Sequence, residues 1–435
     1  MSDYETDILN LLDKNVKKIV DDRLTIRIDK KNEMGEVFTQ LKLIWKMLDR
    51  IPKRVWYNPN LKWLDPANGI GNFPIVIYYK LMKSLKDEYI PSNFNGKSLS
   101  KHIIEDMLYM VELSVENYET SKSIFNMIDP DSSPNIYNGS FIDDFNEDFE
   151  NVIDFNVNFD VIVGNPPFQY RKKENSRSKV IWDLFIIKSI ELLNDNGFLV
   201  FINPQGWREY NNRFKEVTSF MKEYNLIFLN MNSYKQKEFN IATAYDYYVL
   251  QKNKDYTKTI INDIDNKEYN LNLKLHDLFI PNGEFELFNN IIEKDINKRI
   301  NLLHSWNAYE TRSNHSQNPT SIIETEEFKY PIVNSVVKKQ GIKLIYSSKK
   351  DNKIFVPKVI WSNGVGTHPI IDNEGKYGLT QFAYGIIDDV ENLEKIKITM
   401  ESEKFLHLMN YVKYTNNKYN YKIIGLFKKD FYKYF

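Results

Sequence analysis

Between about residue 41 and residue 250, short unbroken apolar runs alternate with longer stretches of helical spacing. Leu41, Ile44, Trp45, Leu48 and Ile51 recur at helical intervals, and Lys62-Trp63-Leu64 then leads into a glycine-bearing turn. A helix is predicted over 73–85, with Pro74 in its first turn where a missing N–H costs nothing. Strands are predicted at 107–111, 160–163, 198–202, 226–229 and 246–250, and helices at 117–127 and 180–193. A strand that is apolar on both faces must be covered on both faces. The pattern therefore predicts an α/β fold: a mostly parallel sheet with helices on both sides. Residues 1–30 place Ile8, Leu11, Leu12, Val16, Ile19 and Val20 at amphipathic spacing, which suggests a helical arm. After residue 252 the rhythm stops and turn-rich stretches mix with helical pieces. The expected organisation is an arm (1–30), an α/β domain (31–252) and a carboxy-terminal α+β domain (253–435).

Composition narrows the chemistry. Cysteine is absent, so disulfides, thiolate metal sites and cysteine nucleophiles are excluded. The six histidines show no ligand spacing, and no metal is expected. The amino terminus is acidic, without a signal-peptide pattern, and no apolar run approaches the ~18 residues of a membrane span. The expectation is an intracellular protein with no membrane partner. Lys+Arg total 58 against 59 Asp+Glu, a net charge of −1. Basic residues nevertheless cluster. Residues 331–360 carry seven Lys and one Asp, and 411–435 carry six Lys and one Asp. Such stretches can track phosphates, or simply be solvated surface.

Two turns carry the candidate chemistry. Leu64-Asp65-Pro66-Ala67-Asn68-Gly69-Ile70-Gly71-Asn72-Phe73 follows a strand and opens a helix. Gly69 and Gly71 let backbone approach a ligand, and the helix start offers free N–H groups. Glu112, at the end of the next strand, occupies the place of a ribose-binding carboxylate. Taken alone, a Gly-x-Gly turn is weak evidence, and a structural turn is the alternative reading.

The second turn is Gly164-Asn165-Pro166-Pro167-Phe168, again after a strand. Two prolines stiffen the backbone and remove two N–H donors. Neighbouring carbonyls and the Asn165 amide oxygen are then free to accept, and Phe168 offers an apolar face for a planar ring. Two acceptors beside an aromatic platform suit a planar substrate with an NH2 group. Held by both hydrogens, that nitrogen turns towards tetrahedral geometry and exposes its lone pair to a methyl donor.

With these residues in view, the chain resembles the gamma-class N6-adenine DNA methyltransferases, which use S-adenosylmethionine. Three blocks stand in the family's order: Gly35 to Gln40, Asp65 to Phe73, and Asn165 to Phe168. Asn196 to Trp207 and Glu238 to Tyr248 resemble two later blocks. The resemblance covers about 31–252. It implies a Rossmann-like methyltransferase sheet in which Phe38, Thr39, Asp65, Gly69, Gly71 and Glu112 line the cofactor. Asn165 and Pro166 would hold the target amine, Pro167 would stiffen the turn, and Phe168 would stack on the base. Where the family commonly has Asp-Phe, this chain has Ser140-Phe141, expected near the cofactor's adenine. Gln40 stands where the family usually has Pro.

The resemblance further implies duplex DNA as partner, a recognition domain after the sheet, and a separate cognate restriction endonuclease. A monomer is expected. Arg171, Lys172, Lys173 and Arg177 follow the second turn, beside which a flipped base would lie. Lys338, Lys339, Lys343, Lys349 and Lys350, with the loop 363–367 and His368, are the DNA-contact candidates of the carboxy-terminal domain. Two alternatives stay open: an RNA adenine methyltransferase, and a catalytically silent DNA-binding subunit.

Overall fold

The structure is a computed structural model. It describes residues 39–142, 154–170, 178–231, 244–255, 258–304, 308–309, 311, 317–337, 341–362, 368–414 and 419–435. The expected arm at 1–30, Phe38 and the late block's Glu238 to Asn240 lie outside these residues. The chain divides into two compact units, the first drawn mainly from the residues up to Asp277 and the second from those from Leu278 onward together with Glu209–Asn211.

The first unit is built on one nine-stranded sheet. Its strands in chain order are β1 (Trp63–Asp65), β2 (Leu108–Glu112), β3 (Asn135–Asn138), β4 (Phe159–Gly164), β5 (Leu193–Pro204), β6 (Asn225–Met231), β7 (Tyr245–Gln251), β8 (Thr259–Asn262) and β9 (Glu268–Leu271). Their order across the sheet is β3-β2-β1-β4-β5-β7-β6-β8-β9. The strands β3, β2, β1, β4 and β5 run parallel, and β7 lies antiparallel between β5 and β6. Helix α1 (Leu41–Leu48) precedes β1, and crossovers run through α2 (Asn72–Leu85), α3 (Val115–Ile128), α4 (Trp182–Leu192) and α5 (Lys215–Glu223). The β1 strand is buried at every residue and β4 at all but Asp160, which is why they read as unbroken apolar runs. This is the expected α/β fold built on a mostly parallel sheet.

The sheet continues past the boundary expected near residue 252. The β8 strand pairs parallel with β6, and β9 closes the edge antiparallel to β8. The pair is half-solvated, so its sequence shows no apolar run to announce it.

The chain lays β1, β2 and β3 outward in one direction, then returns to place β4 on the other side of β1. At such a switch point the strand ends leave a crevice, and ligands bind there in open α/β sheets. Asp65 ends β1 and Gly164 ends β4, so both candidate turns leave the sheet at this point.

The second unit holds two four-stranded sheets. Its strands are β10 (Asn301–Leu303), β11 (Thr320–Ser321), β12 (Tyr330–Val337), β13 (Gly341–Ser347), β14 (Lys358–Ser362), β15 (Ile370–Asp372), β16 (Gly378–Leu379) and β17 (Ala383–Ile387). One sheet runs β10-β17-β14-β15 and the other β11-β13-β12-β16. Helices Val390–Glu401 and Glu403–Asn410 follow, an α+β make-up as expected. Among the described residues, no helix is long and apolar enough to cross a membrane.

Candidate active site

The β1–α2 turn is held by a buried polar network. The Ala67 N–H donates to Asp65 Oδ1 at 3.1 Å, and the other carboxylate oxygen, Oδ2, is buried without a hydrogen-bond partner among the described residues. Burial pushes the Asp65 carboxyl up to about 8; the Ala67 N–H opposes this and the nearby Glu112 charge adds to it. The Asn68 N–H donates to the Val111 carbonyl at 2.9 Å, and its Nδ2 donates to Ser121 Oγ at 2.8 Å. Gly71 caps the helix at φ +99°, and a Cβ there would lie 3.1 Å from Ser121 Oγ. Only glycine adopts this conformation without strain and leaves the space open. Asn72 Nδ2 donates to the carbonyl of buried Thr39 at 3.1 Å, which brings Thr39 to the same turn.

Glu112 ends β2 beside this turn. Its Oε2 accepts from the Gly69 N–H at 2.7 Å and its Oε1 from the Ser114 N–H at 2.8 Å, with Asn117 Nδ2 at 3.4 Å. Leu113 follows it with an apolar side chain that is 46% exposed. The wall therefore offers two carboxyl groups, a glycine-lined approach and an apolar shelf. It suits a ligand carrying a positive group, a vicinal diol and a flat ring, and S-adenosylmethionine has all three. Asn68, Asn117 and Ser121 were not singled out in the sequence. Their one signal is the four-residue spacing of 117 and 121, which places both on one face of α3.

At the end of β4, a Cβ on Gly164 would come 3.0 Å from Asp65 Oδ1, so the two turns touch. Asn165 is half-buried, Pro166 buried, and Pro167 and Phe168 half-buried, with Phe168 packed against the main core. The Phe168 carbonyl accepts from the Ile181 N–H at 3.2 Å. A short antiparallel pair, Gln169–Tyr170 with Lys179–Val180, then forms the stem of a loop. Its basic residues Arg171, Lys172, Lys173 and Arg177 lie outside the described residues.

Ser140 Oγ donates to the Ile142 carbonyl at 2.8 Å and accepts the Ile142 N–H at 3.3 Å, so its hydroxyl is engaged in a local turn. Phe141 is 2% exposed and stacks on Phe185 at 5.6 Å, with the Lys188 ammonium 5.4 Å above its ring. In the second unit, Lys343, Lys349 and Lys350 are exposed and His368 is half-buried. Lys338, Lys339 and the loop 363–367 lie outside the described residues.

Comparison with known proteins bears on this geometry. Residues 38–239 match the Eco57I restriction-modification methylase family. An uncharacterised adenine-specific methylase of Mycoplasma pneumoniae is 25% identical over 366 residues, covering 65% of this chain and 83% of the relative. Among solved structures, the M protein of the type I restriction enzyme EcoKI is 13% identical. It matches 52% of this chain and 48% of its own, with a TM-score of 0.40. The ATP-dependent type ISP restriction-modification enzyme LlaBIII, solved bound to DNA, is 14% identical and matches 80% of this chain and 33% of its own, with a TM-score of 0.46. The chain thus spans about half or less of the length of these solved structures. Over residues 38–239, the segment that carries both turns, the chain is similar to the restriction-modification methylases of the Eco57I family.

Proposed function

We propose that the protein transfers a methyl group from S-adenosylmethionine to the N6 amine of adenine at specific sites in duplex DNA. The observation that carries the reading is the meeting of the two turns at the switch point. The carboxylate of Asp65 and the backbone at Gly164, which leads directly into Asn165, are in contact. A donor held on the first turn would therefore face an amine held on the second.

S-adenosylmethionine, when bound, supplies a methyl group on a cationic sulfur. Asp65 would face its positively charged end, and Glu112 would accept from its ribose hydroxyls. Gly69 and Gly71 leave room for the backbone approach, Thr39 closes the wall, and Leu113 offers a shelf for the adenine ring. The target adenine must leave the duplex stack to reach this crevice, as bases do for enzymes that act on them. The Asn165 amide oxygen and the Pro166 carbonyl accept its two amine hydrogens and free the nitrogen lone pair for in-line attack. Phe168 stacks on the flipped base. The proton lost from the amine passes to solvent, so no strong base is needed, and catalysis rests on orientation. Exposed lysines of the second unit would neutralise phosphates.

Incubation with S-adenosylmethionine, unmethylated plasmid and, in parallel, a structured RNA tests the proposal, with nucleosides quantified by mass spectrometry. N6-methyladenine in the DNA alone is expected. Product only in RNA would move the second unit's role to RNA, and no product in either would leave a silent binding subunit. Asn165→Ala is expected to abolish most turnover while keeping DNA affinity, and retained turnover would sink its assignment.

A further inference from the structure

Beyond the switch point, the first unit holds an ion pair fully removed from water. Arg208 and Asp246 are 1% and 0% exposed. The guanidinium engages the carboxylate with both prongs, Nε to Oδ2 at 2.7 Å and Nη2 to Oδ1 at 3.0 Å. Burial pushes the Asp246 carboxyl up, and the Arg208 charge opposes it. Taking both charges out of water is costly, and an apolar pair of similar volume is often as stable or more so. Stability alone therefore gives a weak reason for the pair.

Its place in the register gives a stronger one. Gly164, the residue before Asn165, pairs with Phe201 of β5. Two residues further along β5, Asn203 pairs with Asp246 of β7. Asp246 thus stands two strands away from β4, whose end leads into the amine-holding turn, and Arg208 follows the intervening β5, at the same end of the strands. The segment between, Gln205–Arg208, is fixed at several points. Gln205 Nε2 donates to the Tyr245 carbonyl at 3.4 Å. The Trp207 carbonyl accepts from Thr218 Oγ1 at 2.8 Å and Asn212 Nδ2 at 3.0 Å. The Trp207 ring meets Tyr248 edge-on at 6.4 Å. Asn203 is 0% exposed, and its Oδ1 has no hydrogen-bond partner among the described residues.

We propose that Arg208 and Asp246 are positioning residues: their two-pronged pair locks the turn after β5 as a rigid side wall for the base held by Asn165. The inference rests on the methyltransferase reading. The wall acts on the flipped base and not on the cofactor, so its loss should separate turnover from cofactor affinity.

The test compares the wild-type full-length chain with Arg208→Met/Asp246→Leu and with Arg208→Lys. Melting temperature, S-adenosylmethionine affinity by calorimetry, kcat and KM are measured for each. An oligonucleotide of the methylated sequence with 2-aminopurine at the target adenine reports base flipping by fluorescence. The double variant is expected to keep its melting temperature and cofactor affinity. Its kcat should fall about a hundredfold, the scale of a small misplacement near reacting atoms, and its flipping signal should weaken. Arg208→Lys, which keeps the charge but loses the fork, is expected to recover part of both. Unchanged kcat and fluorescence in the double variant would overturn the proposal. Should the double variant not fold, an Arg208→Lys protein with wild-type kcat and flipping signal would overturn it instead. Wild-type protein that binds no cofactor and methylates nothing would defeat the methyltransferase reading, a separate outcome.

Discussion

The Gly69 N–H donates to Glu112 Oε2 at 2.7 Å, tying the glycine turn after β1 to the end of β2. Each carboxylate oxygen of Glu112 takes one backbone N–H, from Gly69 and from Ser114. Oε1 also accepts from Asn117 Nδ2 at 3.4 Å, so a bound diol would share these oxygens with the protein's own donors. The glycine turn and the carboxylate are thus one construction. The turn presents the backbone, and that backbone in turn fixes the carboxylate.

Glu112→Gln tests this. An amide cannot accept on its nitrogen side, so it keeps one backbone contact and loses the other together with half of the diol recognition. Hydrogen bonds to a charged acceptor contribute about 1.5–3 kcal/mol. Cofactor affinity is therefore expected to fall roughly ten- to a hundredfold, read by calorimetry, and the melting temperature of the ligand-free protein should fall with the lost backbone contact. Unaltered affinity would remove Glu112 from the cofactor wall.

Gly71→Ala addresses the same wall from its steric side. The residue sits at φ +99°, and the new Cβ would lie 3.1 Å from Ser121 Oγ. That hydroxyl already accepts from Asn68 at 2.8 Å and has little freedom to withdraw. A side chain in this backbone region costs about 1–3 kcal/mol. A fall in melting temperature of several degrees is expected together with weakened cofactor binding. A variant as stable as the parent would mean that the turn tolerates a Cβ.

Much of this was legible in the sequence, for identifiable reasons. Buried parallel strands leave unbroken apolar runs, so β1, β4 and β5 and the two turns after β1 and β4 stand out. The antiparallel direction of β7 does not, because direction leaves no trace in composition. The β8–β9 pair was read as part of the second domain because half of its residues face solvent. Asp65 and Glu112 were accessible through their places at strand ends. Asn117 and Ser121 were not, since polar residues on a helix ordinarily mark its wet face, and Asn68 reads as an ordinary turn residue. Arg208 and Asp246 meet only through strand register, which no local pattern reveals.

Asp65 makes stability depend on pH. Its carboxyl is held up at about 8 by burial, whereas an unfolded chain titrates it at about 3.9. The folded state therefore favours the protonated form. The stabilisation is complete below about pH 3.9, declines as pH rises, and is lost once pH passes about 8. In that window the folded protein should lose up to about 1.4 kcal/mol per pH unit from this one group. Asp65→Asn keeps the shape and removes the titration. Urea midpoints of both proteins, taken from about pH 5 to about pH 8, should diverge as pH rises, with the variant the more stable at the alkaline end. Parallel curves would show that Asp65 ionises normally in the fold.

The proposed DNA-binding role of the second unit can be tested apart from catalysis by salt. Lys343 lies on β13 and Lys349 and Lys350 just beyond it, all exposed. If they meet phosphates, each contact releases condensed counterions, and the slope of log affinity against log salt carries about 0.9 per contact. Replacing all three with Gln is expected to weaken binding to cognate and unrelated duplexes alike and to lower the slope by up to about 2.7. Phosphate contacts carry no sequence information, so the methylated sequence should stay the same. Cofactor affinity and melting temperature should also hold, because these side chains are solvated and lie outside the first unit. An unchanged slope would assign the three lysines to plain solvent-facing surface. A changed recognition sequence would instead make them readers of base edges.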